Sequence, residues 1–147
     1  MRSLHRTQIN LNTCRKNKIT GRNRDQTERA KTMMNSRTLW NDNWYFAKTA
    51  LGVNWEDRQI WEAKMQPVDL PHDWLIYDTK NLYEDSIGWY RKRFAYSTCD
   101  ERVIIRFEGV YMDSTIYVNG TRLGDWKYGY STFDWDITDA CLLYTSD

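Results

Sequence analysis

Polar and apolar positions alternate two by two along most of the chain after residue 38. In RVIIRFEG (102–109), Val103, Ile105 and Phe107 fall on one side, and Ile104, Arg106 and Glu108 on the other. In DSTIYVNG (113–120), Ser114, Ile116 and Val118 share a face. GWYRKRFAYS (88–97) puts Tyr90, Phe94 and Tyr96 together, with Lys92 interrupting, and Arg91 and Arg93 opposite. A period of two is the mark of half-buried strands. LWNDNWYF (39–46) and IWEAKMQPVDLP (60–71) are further strand candidates, and Pro67 and Pro71 confine the latter to an edge or to its ends. FDWDITDACLLYTSD (133–147) begins another strand and stops. No long amphipathic helix and no internal repeat emerges. Strands this short and this evenly spaced predict an all-β sandwich, jelly roll or barrel.

Asn119-Gly120 lies between two such strands, STIYV and TRLGDW. A two-residue type I′ turn needs φ > 0 at both central positions, which Asn and Gly tolerate best. The same residues, with Thr121, match the glycosylation sequon, but the turn reading is preferred because no secretory signal precedes it.

The 147 residues carry a net charge of +1, which hides an asymmetry. Residues 1–38 hold 10 Lys+Arg and 2 Asp+Glu and contain no Trp, Tyr or Phe; residues 39–147 hold 11 and 18 and all eight tryptophans. A segment so poor in apolar surface does not offset its ordering entropy. Residues 1–38 are therefore expected to be a disordered basic leader, and residues 39–147 the folded domain. A nucleic-acid arm and an upstream extension ahead of a start at Met33 or Met34 are the other readings of the leader. Basic tails more often repel and solvate, so no nucleic-acid partner is expected. No apolar run approaches the ~20 residues of a membrane span, and no membrane partner is expected. Cys14, Cys99 and Cys141 are odd in number and far apart, without the spacing of a disulfide framework or metal site. A cytoplasmic setting is the default expectation.

The ordered series NDNWYFAK (41–48), VDLPHDW (68–74), GWYRKRF (88–94), RVIIRFEGVYMDSTIYVNG (102–120), LG (123–124) and YGYSTFDWDIT (128–138) resembles the N-terminal sugar-binding domain of glycoside hydrolase family 2, the β-galactosidase and β-glucuronidase family. The resemblance covers about 100 residues; the leader and the closing LLYTSD have no counterpart. It implies a jelly-roll β-sandwich, galactose-binding-domain-like and incomplete at its C-terminus, at the head of a longer retaining β-glycosidase, most readily a β-galactosidase. It also implies partners: a β-galactoside-like carbohydrate, the immunoglobulin-like and barrel domains of the parent chain, and a homo-oligomer at full length. A freestanding carbohydrate-binding module is the alternative.

Retaining hydrolysis needs two carboxyls about 5–5.5 Å apart, which in the family stand on a barrel of about 250 residues. These 147 residues cannot hold it, so no catalytic residue, metal or cofactor is expected here, and no activity from this chain alone. The resemblance directs attention instead to the loop LIYDTKNLYEDSI (75–87). Its Asp78, Asn81, Glu84 and Asp85 suit sugar hydroxyls, though such loops are more often simply solvated. His72 and Asp73 of LPHDW are read either as sugar ligands or, preferably, as corner chemistry, with Pro71 fixing an extended bend, Asp73 satisfying backbone N–H groups and Trp74 plugging the sandwich. Trp126, Tyr128, Tyr130, Phe133 and Trp135 form either a stacking platform for sugar faces or, preferably, core and inter-domain packing.

Overall fold

The computed structural model describes residues 5–15, 37–74, 76, 80, 84–96 and 102–142. Their elements are β1 (His5–Arg15), β2 (Trp44–Ala50), α1 (Arg58–Glu62), β3 (Gln66–Val68), β4 (Ser86–Tyr96), β5 (Ile104–Phe107), β6 (Ser114–Val118), β7 (Thr121–Trp126), β8 (Phe133–Asp136) and α2 (Thr138–Leu142). Six strands form one sheet in the order β3-β2-β4-β1-β6-β7, and β5 pairs with β8 in a second. The two sheets close an all-β sandwich: Ile9, Leu11, Trp44, Tyr90, Phe94, Ile116 and Val118 of the large sheet share one core with Ile105, Phe107 and Phe133 of the small one. Ile137 and Cys141 of the α2 region join it. Burial pushes the Cys141 thiol up to about 11.

The alternation legible in the sequence is the alternation of burial. Ile105 and Phe107 are buried while Ile104 and Arg106 face solvent, and Ser114, Ile116 and Val118 are buried together. Lys92, which interrupts the apolar face of β4, is 9% exposed. Its stem lies within that face, its ammonium donates to the Asp42 carbonyl, and Nζ sits 5.9 Å from the centre of the Trp44 ring. Asn119 and Gly120 have φ of 49° and 84°, as the two-residue hairpin between β6 and β7 requires. Outside the small sheet, Arg106 grips its cross-strand partner Asp134 with two hydrogen bonds of 2.7 Å. Asp136 accepts from Thr138 and Arg102, which together hold its carboxyl down to about 2.

LWNDNWYF (39–46) is strand only from Trp44, and β2 runs on to Ala50. Two further expectations need correction. IWEAKMQPVDLP is not one strand: its start belongs to α1, and only Gln66–Val68 pairs, at the sheet edge where Pro67 is tolerated. Trp61 and Ile60 obeyed no helical stripe long enough to signal a helix, and α1 is held by tertiary packing. Its Trp61 is fully buried against Trp89, with rings stacked at 4.8 Å on the face of the large sheet turned away from the main core. The second correction concerns the leader. Residues 5–15 form β1, in the middle of the large sheet, paired with β4 and β6. The composition argument overlooked that a strand hydrogen-bonded on both flanks needs little apolar surface of its own. Ile9 and Leu11, 3% and 0% exposed, suffice to seat it. Residues 16–36 lie outside the described residues.

Candidate functional site

β2, β4 and the LPHDW corner meet at one end of the large sheet. Phe46 of β2 is the hub. Its ring centre lies 4.7 Å from that of His72, 4.9 Å from Tyr90 and 5.9 Å from Trp74. Trp74 comes so close to β4 that a β-carbon at Gly88 would stand 3.0 Å from the indole nitrogen and 3.1 Å from Phe46. The glycine of the GWY motif is there because two aromatic rings occupy the space a side chain would need.

His72 and Tyr90 are joined by two polar contacts: Nδ1 to the phenol oxygen at 2.9 Å, and the phenol to the His72 carbonyl at 3.3 Å. With the proton on Nδ1, the imidazole donates to the phenol and the phenol donates to the carbonyl, so both contacts are satisfied at once. Burial lowers the His72 pKa from its ordinary value, against the opposing pull of the Asp73 carboxylate. Burial, reinforced by Asp73, raises that of Tyr90. At neutral pH both are uncharged. The pair therefore fixes the corner, following a cis Leu70–Pro71 bond. Asp69 Oδ1 accepts the Asn43 N–H at 2.9 Å and ties the corner to the start of β2. Tyr90→Phe removes one partner of a part-buried network and is expected to lower stability by about 1 kcal/mol, read from the urea midpoint; an unchanged midpoint would show the pair to be ornamental.

Of the 75–87 stretch that joins this corner to β4, Glu84 and Asp85 stand just before the strand, and Ser86 and Ile87 already belong to it. Asp78 and Asn81 lie outside the described residues. Glu84 and Asp85 are exposed. Lys48, which follows Phe46 on the same face of β2, links the two ends of the loop. Its Nζ is 2.8 Å from Glu84 Oε2 and 5.9 Å from the centre of a Trp74 ring. The sequence reading missed Lys48, although its period-two relation to Trp44 and Phe46 was visible. The result is a rim that offers an indole, an ammonium and two carboxylates, a mixture of flat apolar face, donor and acceptors that matches polyhydroxylated rings.

The aromatics after the hairpin divide. Phe133 is buried, and Trp126 and Trp135 pack against the main core; Trp126 stacks on Phe133 at 4.8 Å and donates to Ser131 Oγ at 3.0 Å. Tyr128 and Tyr130 are 73% and 94% exposed, and Tyr130 meets the half-exposed Tyr111 edge to face at 6.4 Å. Packing thus claims the tryptophans, and the tyrosines remain at the surface. Among the described residues, no group of three or more His, Cys, Asp or Glu is placed to hold a metal ion. No helix among them is long and apolar enough to cross a membrane.

No family model matches the chain. Individual relatives do. A putative β-glucuronidase of Formosa agariphila is 31% identical over 113 residues, which is 69% of this chain and 11% of the relative. A second putative β-glucuronidase of the same organism is 35% identical over 118 residues, 75% of this chain and 14% of the relative. A β-galactosidase of Bacteroides ovatus is 40% identical over 83 residues, 48% of this chain and 10% of the relative. The matches thus span only about a tenth to a seventh of each of these curated relatives. Similarity of this kind, carried on a β-sandwich with the motifs in order, shows that the chain belongs to glycoside hydrolase family 2, of β-galactosidase/β-glucuronidase type.

Proposed function

We propose that this chain is the N-terminal sugar-binding jelly-roll domain of a retaining β-glycosidase of carbohydrate metabolism, most readily a β-galactosidase working in the cytoplasm. The two catalytic carboxyls then belong to a barrel outside these 147 residues. The observation that carries the reading is the breadth of the similarity: β-galactosidases and β-glucuronidases alike match about half to three quarters of this chain, yet only a tenth to a seventh of their own length.

The role assigned to the chain is to place the Trp74–Lys48–Glu84 rim, with Asp78, Asn81 and Asp85 of the same loop, beside the sugar site of the parent enzyme. Half a site binds weakly. Calorimetric titration of the 147-residue chain with methyl β-galactoside and methyl β-glucuronide is expected to give no saturable binding below millimolar concentration. p-Nitrophenyl β-glycosides are expected to remain intact. Hydrolysis above the buffer rate would sink the proposal. Saturable micromolar binding without hydrolysis would point instead to a freestanding carbohydrate-binding module, for which the exposed Tyr128 and Tyr130 are the natural platform.

A further inference from the structure

The large sheet alternates in direction everywhere except at β1. β2 runs antiparallel to β3 and to β4, and β6 runs antiparallel to β7. β1 alone is parallel to its neighbours, to β4 on one side and to β6 on the other. β4 and β6 therefore point the same way with one strand position between them. A fully alternating sheet has that arrangement around a strand running opposite to both. Parallel pairing is slightly weaker per residue, and sheets of a single pairing type are favoured over mixed ones.

Among the described side chains of β1, those on one face fit the gap and Asn10 on the other does not. Ile9 and Leu11 enter the main core. Asn10 points to the other face, beside Arg91 of β4 and Tyr117 of β6 in the ladder, and is 2% exposed. Neither its amide nitrogen nor its amide oxygen has a hydrogen-bond partner, and Nε of Arg91 is likewise buried and unpaired. Buried amides are rarely left so, and each such group weakens the fit.

We infer that the gap between β4 and β6 is a strand-acceptor site which β1 plugs with the chain's own N-terminal residues. Its preferred occupant is an extended polypeptide segment from outside these 147 residues, running antiparallel to β4 and β6 and apolar on both faces. Strand addition of this kind takes its affinity from main-chain hydrogen bonds and its specificity from alternate side chains. The inference rests on the proposed function only in that the longer relatives leave room for such a segment; no sugar enters the argument or its test.

The test starts from the whole chain with a protease site inserted between residues 22 and 23. After cleavage, the 1–22 fragment is held by pairing alone. Three eleven-residue peptides then compete for the gap, with release of the fragment followed by native mass spectrometry: the 5–15 sequence with Cys14→Ser, the same with Asn10→Val, and the latter in reversed order. The valine peptide is expected to displace the fragment at about tenfold lower concentration than the asparagine peptide, and the reversed one at lower concentration still. Failure of the reversed peptide where the forward ones succeed overturns the antiparallel preference. A cleaved chain that stays folded and admits no peptide overturns the acceptor site. Should cleavage unfold the chain, the uncut Asn10→Val variant decides the mismatch: a rise of several degrees in Tm is expected, and a fall overturns it.

Discussion

Trp89→Ala is expected to lower the free energy of unfolding by about 3–5 kcal/mol, the usual cost of emptying a buried tryptophan site. Trp89 is 2% exposed, stacks on Trp61 with planes 2° apart, and donates its indole N–H to Thr49 Oγ1 at 2.8 Å in a buried contact. It anchors the second apolar cluster, with Ala47, Ile87 and Trp61, on the outer face of the large sheet. That cluster is what holds α1 and the 51–65 connection against the strands. Removing the indole takes away the surface on which Trp61 rests and leaves the Thr49 hydroxyl unpaired. Small domains unfold with only about 5–15 kcal/mol, so the loss is a large share of the whole. Urea denaturation followed by fluorescence measures it. Trp89→Phe keeps a stacking ring and loses the hydrogen bond, and should fall between the variant and the parent. A Trp89→Ala chain with the parental midpoint would mean that the α1 segment contributes nothing to stability.

Gly124→Val is expected to cost about 1–3 kcal/mol or more, for the opposite reason. Gly124 lies in β7 opposite Ile116, where the ladder shifts register before Tyr117 pairs with Arg122. The Trp135 ring lies directly over its α-carbon, so close that any β-carbon would collide with the ring's far edge. Trp135 is a β8 residue packed against the main core. A side chain at 124 must push it outward, and the two sheets meet through that contact. The measurement is the thermal midpoint of Gly124→Val beside Gly120→Val. Gly120 has nothing within 4 Å of a built β-carbon, so its variant suffers only from its φ of +84°. If Gly124→Val melts with the parent, the close approach of Trp135 is not a feature of the folded chain.

The Leu123-Gly124 pair shows where sequence reasoning stops. As a motif it was part of a family resemblance; nothing local said why glycine stood there. The reason is a tryptophan eleven residues away in sequence and in another sheet. Gly88 is the same case, with Trp74 and Phe46 as the rings that exclude a side chain. The rim of the candidate site is similar. Glu84 was legible as a loop carboxylate, whereas its pairing with Lys48 depends on β2 and β4 lying side by side in one register.

The sequence by itself determined the strands β4 to β8, the buried faces of β5 and β6, and the Asn119-Gly120 hairpin. These follow from period-two alternation and from the φ preferences of two residues, both local properties. Its family likeness was also readable from motifs in order. The tertiary structure alone decided that Arg58–Glu62 is helical, that His5–Arg15 lies in the centre of a sheet, and which aromatics pack and which stay exposed. The physical reason is common to all three. A short helix, a polar strand and an aromatic ring have no strong local preference, and each takes its state from neighbours far away in sequence: Trp89 beneath Trp61, β4 and β6 on either side of β1, and the main core beneath Trp126 while Tyr128 and Tyr130 stay outside it.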